Sequence, residues 1–217
     1  MSLRINDIAP DFTAESTQGT IKWHEYIGDN YAVLFSHPKD FTPVCTTEFS
    51  AAAKLAGEFA KRGCKLAGIS IDGVEEHHKW MADVKTYGGA EMSFPIIADK
   101  GLEVAKLYDM LPAEAYLPDG RTANDTATVR TTFIIGPDKK IRLMLIYPMS
   151  VGRNFDEILR ALDAIRQTDG KPFATPADWQ PGDDVIVALS VSTEDAKARF
   201  GQLDIPLPYL RKTKAPV

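Results

Sequence analysis

Apolar runs of strand length alternate with helical patterns through most of this chain. Tyr31-Ala-Val-Leu-Phe-Ser36 and Lys65-Leu-Ala-Gly-Ile-Ser-Ile71 are nearly continuous apolar runs, as expected of strands buried on both faces. Between them, Thr47 to Arg62 is rich in Ala, Lys, Glu and Phe and predicts a helix, closed by Gly63. Val74 to Thr86 predicts a second helix, Phe94 to Ala98 a short strand, and Lys100 to Leu107 a short helix. Thr131 to Ile135 and Ile141 to Tyr147 are strands around Gly136-Pro-Asp-Lys-Lys140, whose turn composition makes the pair a hairpin. Asn154 to Gln167 is amphipathic, with Phe155, Ile158, Leu159, Leu162 and Ile165 on one face.

Strands alternating with helices, then a hairpin, predict an α/β fold with a mixed central sheet flanked by helices. The thioredoxin-like arrangement fits this order. The pattern changes near Thr168. The segment 169–217 holds six of the fourteen prolines, one apolar run (Val185 to Leu189) and one helical stretch (Thr193 to Phe200). So little apolar material makes a poor core of its own. The expected organisation is therefore a main domain, 1–168, and a C-terminal arm, 169–217, packed on that domain or on a partner subunit. A small separate domain is the alternative.

Composition narrows the function classes. At 44% hydrophobic and 25% charged, the chain has the balance of a soluble globular protein. A net charge of −5 argues against nucleic acid as a partner, because phosphate neutralisation needs a basic patch. No run of 18 apolar residues occurs, so no spanning helix is expected. The polar N-terminal residues do not resemble a targeting segment. With two cysteines, Cys45 and Cys64, the chain is no disulfide scaffold, and a cytoplasmic setting is expected. The absence of G-x-G-x-x-G, Walker and C-x-x-C patterns gives no reason to expect a nucleotide cofactor or dithiol exchange. The adjacent His77 and His78 lack the ligand spacing of a metal site, so none is expected.

The candidate chemistry lies in Phe35-Ser-His-Pro-Lys-Asp-Phe-Thr-Pro-Val-Cys-Thr-Thr-Glu48. A strand ends, a loop follows, and Thr42-Pro43 supplies an N-cap with proline at the first helical position. Val44 and Cys45 then fall in the first turn, where backbone N–H groups lack intrahelical partners and the helix dipole is positive. Both favour a thiolate, which is the nucleophilic form. The Thr42 hydroxyl, three residues before the sulfur, is placed to reach it or a bound substrate. His37 and Glu48 flank the loop. Arg130 precedes an apolar strand, where a buried charge needs a partner. Arg153 opens a helix, an unfavourable place for a cation on dipole grounds.

Pro38, Thr42 and Cys45 form P-x-x-x-T-x-x-C, which resembles the peroxidatic signature of the peroxiredoxins. The longer string FSHPKDFTPVCTTE resembles the one-cysteine branch of that family, as do Tyr147-Pro148, Gly152 to Leu159 and Thr175-Pro-Ala-Asp-Trp179. The resemblance implies a thioredoxin-like fold with a C-terminal arm and homodimers, some assembling further. It implies a peroxide substrate, with Arg130 polarising peroxide and thiolate, Arg153 supporting it, and His37 and Glu48 at matching positions. Some one-cysteine relatives carry a serine esterase site. The matching stretch here, Gly28 to Ala32, has Asn30 in the place of the serine, with His24 and Asp138 as would-be partners, so no such activity is expected.

The implied reaction turns the Cys45 thiolate into a sulfenic acid. Cys64 cannot resolve it directly, because a helix of roughly 16 residues, ~24 Å long, lies between them, whereas a disulfide needs Cα atoms within about 7 Å. An external thiol or other reductant is therefore expected, and Cys64 is read as a structural thiol. A redox sensor and a peroxide-induced holdase are the competing classes. The full set of Pro38, Thr42, Cys45 and Arg130 favours catalysis, since a sensor needs only a reactive thiol.

Overall fold

A computed structural model describes residues 3–116 and 126–215. It divides into two compact units, Met1–Phe155 and Asp156–Val217.

The first unit is built on a seven-stranded mixed sheet. In chain order its elements are β1 (Thr13–Ser16), β2 (Gly19–Lys22), α1 (Trp23–Ile27), β3 (Tyr31–Ser36), α2 (Pro43–Lys61), β4 (Cys64–Ser70) and α3 (Val74–Gly88). Then come β5 (Ile96–Ala98), α4 (Glu103–Leu107), β6 (Arg130–Ile135) and β7 (Ile141–Tyr147). The strand order is β2-β1-β5-β4-β3-β6-β7. β3, β4 and β5 run parallel, while β1 and β6 join them antiparallel.

The two faces of β3 explain its unbroken apolar run. Ala32 and Leu34 face one way, into a cluster with Ala67, Ile69, Phe133, Trp23 and Ile27 of α1, and Val104 and Ala105 of α4. Phe35 faces the other way and meets Phe49 of α2 at 5.0 Å between ring centroids. Helix α2 buries Phe49, Ala52, Ala53, Ala56 and Phe59, an i, i+3, i+4, i+7, i+10 stripe. It ends where Gly63 takes φ +62°, the left-handed conformation that closes a helix. The β6–β7 hairpin turns through Gly136 to Lys140, as its composition predicts.

The second unit has its own small cluster. Helix α5 (Phe155–Thr168), β8 (Phe173–Ala174), β9 (Val185–Val187), α6 (Thr193–Phe200), β10 (Asp204–Leu207) and β11 (Leu210–Thr213) complete the chain order. The strands form a four-stranded antiparallel sheet, β10-β11-β9-β8. Phe173, Trp179, Val185, Val187, Val191 and Ala196 are buried together, with Ala164 of α5 against them. Arg160 of α5 donates from Nη1 to the Trp179 carbonyl at 2.9 Å. Composition alone puts a boundary after Thr168; the compact division falls before Asp156, because α5 packs with the C-terminal residues. Among the described residues, no helix is long and apolar enough to cross a membrane.

Candidate active site

Three backbone devices converge on Cys45. β3 delivers the chain to His37 and Pro38, both buried. The loop then turns through Phe41, whose φ of +55° is rare for a residue with a Cβ, and is largely exposed there. Thr42 is the N-cap of α2 and Pro43 its first residue, so Cys45 is the third residue of the helix, as the sequence predicts. The Thr42 hydroxyl makes no cap bond; it donates to the Lys39 carbonyl at 2.9 Å.

Cys45 is fully buried, and Glu48, three residues on, lies on the same face of α2. Arg130 arrives as the first residue of β6, bracketed by Ser36. The Ser36 hydroxyl donates to the Val129 carbonyl at 2.6 Å and accepts from Thr131 N at 3.0 Å. Arg153 arrives on the segment after β7, where a Cβ on Gly152 would stand 3.4 Å from Val44 Cγ1.

The arginines and Glu48 form a buried ionic network around the sulfur. Arg130 Nη1 lies 3.4 Å from Cys45 Sγ and 2.7 Å from Glu48 Oε2. Arg130 Nε donates to the Met149 carbonyl at 2.8 Å. Glu48 Oε1 accepts from both the backbone N and Nε of Arg153 at 2.8 Å, and Oε2 accepts from Arg153 Nη2 at 2.8 Å. Arg153 Nη1 donates to Thr131 O at 3.0 Å and Thr132 Oγ1 at 3.2 Å, and its guanidinium lies over Phe35 and Phe155. Burial pushes the Glu48 carboxyl upward, but the bonds and charges of Arg153, then Arg130, outweigh it and hold it below the usual carboxylate range. Two guanidiniums against one carboxylate leave one positive charge beside the sulfur.

A second network lies beneath the loop. Asp40 faces His37 Nε2 at 2.7 Å through Oδ1 and His77 Nδ1 of α3 at 2.6 Å through Oδ2. Burial, joined by the charge of His77, holds the His37 imidazole below its usual value despite Asp40. Burial pushes Asp40 up, but its bonds to His37 and His77 prevail and hold it low. His37, Asp40 and Asp72 place potential metal-ligand atoms within 4.8 Å of one another. Most of these groups already make hydrogen bonds: both Asp40 oxygens face histidines, and Asp72 Oδ2 accepts from Asp40 N and Ser70 Oγ at 2.8 Å, while His37 Nδ1 is buried without a hydrogen-bond partner among the described residues.

Sequence reasoning placed Cys45, Thr42, Pro38, Arg130 and Arg153 at one site, with His37, Glu48, Pro43 and Val44 supporting it. The structure links Cys45 to Arg130, Arg130 to Glu48 and Glu48 to Arg153 in one continuous network. It sets His37 in the Asp40 network beneath the loop. Sequence reasoning missed Asp40, Thr46, His77 and Trp80. His77 and Trp80 sit at i, i+3 on the buried face of α3, a pattern that reads only as core. Asn30, His24 and Asp138 make separate contacts. Asn30 Nδ2 donates to Ile27 O at 3.1 Å, His24 Nε2 faces Ala9 O at 2.8 Å, and Asp138 pairs with Arg142 at 3.0 Å. Cys64 opens β4 beyond the far end of α2, and no disulfide joins it to Cys45.

Comparison with known proteins gives the family. Residues 5–144 match the AhpC/TSA family, and residues 164–203 match the C-terminal domain of 1-Cys peroxiredoxin. The chain is 52% identical to the mitochondrial peroxiredoxin PRX1 of Saccharomyces cerevisiae, over 98% of this chain and 81% of that protein. It is 48% identical to peroxiredoxin-6 of Mus musculus, over 99% of this chain and 98% of that one. Among solved structures, a cysteine-to-serine mutant of peroxiredoxin 6 from Arenicola marina superposes with a TM-score of 0.91 at 45% identity, covering 99% of both chains. The yeast mitochondrial 1-Cys peroxiredoxin superposes with a TM-score of 0.88 at 51% identity, covering 98% of this chain and 99% of that one. The chain belongs to the AhpC/TSA family, in its one-cysteine peroxiredoxin branch, and is a thiol-dependent peroxidase.

Proposed function

We propose that Cys45 carries the peroxidase cycle, with Thr42, Arg130 and Arg153 as its electrostatic frame. The observation that carries this reading is the 3.4 Å approach of Arg130 Nη1 to Cys45 Sγ inside a network with one positive charge to spare. A thiolate balances that charge. The thiolate attacks the terminal oxygen of a hydroperoxide. The S–O bond forms as the O–O bond breaks, and the departing alkoxide or hydroxide takes a proton and leaves as alcohol or water. Arg130 cannot lose its own proton, so it stabilises charge as it moves between the oxygens. Glu48 orients both arginines, and Pro38 and Pro43 shape the loop that presents Thr42.

The sulfenic acid is then reduced from outside the chain. Two equivalents of external thiol return Cys45 to the thiol, releasing water and an external disulfide. A yeast relative's structure concerns thiol resolution through the glutathione and thioredoxin systems. That supports reductants of those two classes here.

Steady-state turnover of hydrogen peroxide with a panel of thiols, run on the native protein, Cys45→Ser and Cys64→Ser, tests this. Cys45→Ser should turn over no faster than the uncatalysed mixture, and Cys64→Ser should match native. Unchanged turnover in Cys45→Ser would end the assignment.

The working unit in this proposal is a homodimer. β7 is an edge strand of the first unit's sheet, and exposed Ile146, Met149 and Val151 lie on or just after it. In the second unit, β10 is an edge strand with all four residues exposed, including Ile205 and Leu207, and Tyr209 of its hairpin turn is also exposed. Open edges with apolar residues beside them favour pairing with another chain.

A further inference from the structure

Helix α3 reaches the peroxidatic turn from behind at two points. His77 holds Asp40, just before the turn. Trp80, three residues on and on the same face of α3, donates its indole N–H to Thr46 Oγ1 at 3.1 Å, just after Cys45. Thr46 Oγ1 in turn donates to the Thr42 carbonyl at 2.9 Å, and Thr46 N donates to that same carbonyl at 3.0 Å. Hydrogen bonds therefore run unbroken from the Trp80 indole to the backbone of Thr42. Trp80 is itself fixed: it is fully buried, stacked on His37 with ring centroids 5.0 Å apart, and packed against Phe49 at 4.9 Å.

Two features of the turn need such support. Phe41 sits in the left-handed region, and a bulky residue stays there only where its surroundings over-determine the backbone. It lies between the two points that α3 holds. Thr42 is an N-cap with no side-chain cap bond, so the usual device for fixing such a residue is missing. Its carbonyl is held instead, doubly, by Thr46. A hydroxyl bonded back to the i−4 carbonyl is a weak local link on its own. The indole N–H fixes which way that hydroxyl points.

We propose that Trp80 is a positioning residue for the Cys45 reaction, acting through Thr46 to hold the Thr42 carbonyl and with it the turn that carries the Thr42 hydroxyl and Cys45. The proposal rests on the assignment of Cys45 as the peroxidatic residue. Small misplacements of groups around a reacting centre are costly in rate, so one brace at the N-cap is enough to matter.

The test measures the second-order rate of Cys45 oxidation by hydrogen peroxide in a single turnover, by quenched flow with titration of the remaining thiol. No reductant is then involved. Native protein and Cys45→Ser come first. If native Cys45 does not react, or Cys45→Ser consumes peroxide equally fast, the peroxidatic assignment has failed and not the brace. The variants are Trp80→Phe, which keeps an aromatic ring but loses the N–H, Thr46→Val, which keeps the shape but loses the hydroxyl, and their combination. All are measured well below their unfolding midpoints. Each single variant should slow oxidation by roughly five- to tenfold, the effect of one lost hydrogen bond. The double variant should be no slower than the slower single one, since both cut the same chain of bonds. Thr46→Ser retains the hydroxyl and should stay within about twofold of native. A native rate in either folded single variant, multiplying effects in the double variant, or a slow Thr46→Ser each overturns the proposal. Should Trp80→Phe fail to fold, Thr46→Val against Thr46→Ser decides alone.

Discussion

Glu48 shows how much one side chain can organise. Its carboxylate is almost completely buried and accepts from Arg130 once and from Arg153 three times. Removing one partner of a buried ion pair is costly because the others are left unpaired in a poor solvent. Glu48→Gln should therefore lower unfolding free energy at pH 7 by about 3 kcal/mol, read from urea melts. The acid dependence has a definite sign. The carboxyl is held below its usual value near 4.5 in the folded protein. Its contribution is thus complete above that value and is lost as pH falls through the lower folded value. The gap between native and Glu48→Gln should narrow from pH 4.5 downward; a gap that stays constant to pH 3 would mean the carboxylate is not what the arginines stabilise. Glu48 was legible in the sequence because it stands three positions from Cys45 in one contiguous string. Asp40 lies in the same string, yet its role was not legible. Its meaning comes from His77, 37 positions away, just as that of Thr46 comes from Trp80, 34 positions away.

At the scale of elements, legibility follows apolar runs, which burial often but not always accompanies: β7 reads as a strand although only Ile141 in it is buried. β3, with five of six residues buried, and β6, with all six, appear in the sequence as apolar runs and form close to where those runs lie. β1 and β2 bury one residue each, and β10 buries none, so no apolar pattern marks them. How closely α2 lies against the sheet is also set by a residue that pattern reading passes over. Gly68 of β4 faces Phe49, and a Cβ there would stand 2.6 Å from Phe49 Cζ and 2.7 Å from Cε1. Phe49 also touches His37 and Trp80, so it cannot retreat without moving the ground beneath Cys45. Gly68→Ala should cost about 1–3 kcal/mol, the usual penalty for overpacking. It should also slow the single-turnover reaction with peroxide. Native stability together with a native rate would show that Phe49 yields freely and that α2 does not depend on this approach.

At the scale of the whole molecule, the two units differ in what they leave open. The first ends its seven-stranded sheet on β7, whose outer edge pairs with no strand among the described residues and whose Ile146 is 61% exposed. The second ends on β10, with Leu207 at 43% and Tyr209 in the adjoining turn at 65%. A stable isolated chain ordinarily protects such edges with charge, proline or a covering element. β10 carries Pro206; β7 has neither a proline nor an acidic residue along its seven positions, and its one charge is Arg142. That asymmetry makes β7 the stronger candidate for contact between two copies. Sedimentation at micromolar concentration should give twice the 23.9 kDa chain mass. Ile146→Lys puts a charge where the edge would be covered and should shift the protein toward single chains, with its far-ultraviolet spectrum unchanged. Native protein sedimenting as a single chain would refute the dimer. A dimer that survives Ile146→Lys intact would move the contact away from β7 and leave the exposed β10 hairpin as the surface to mutate next.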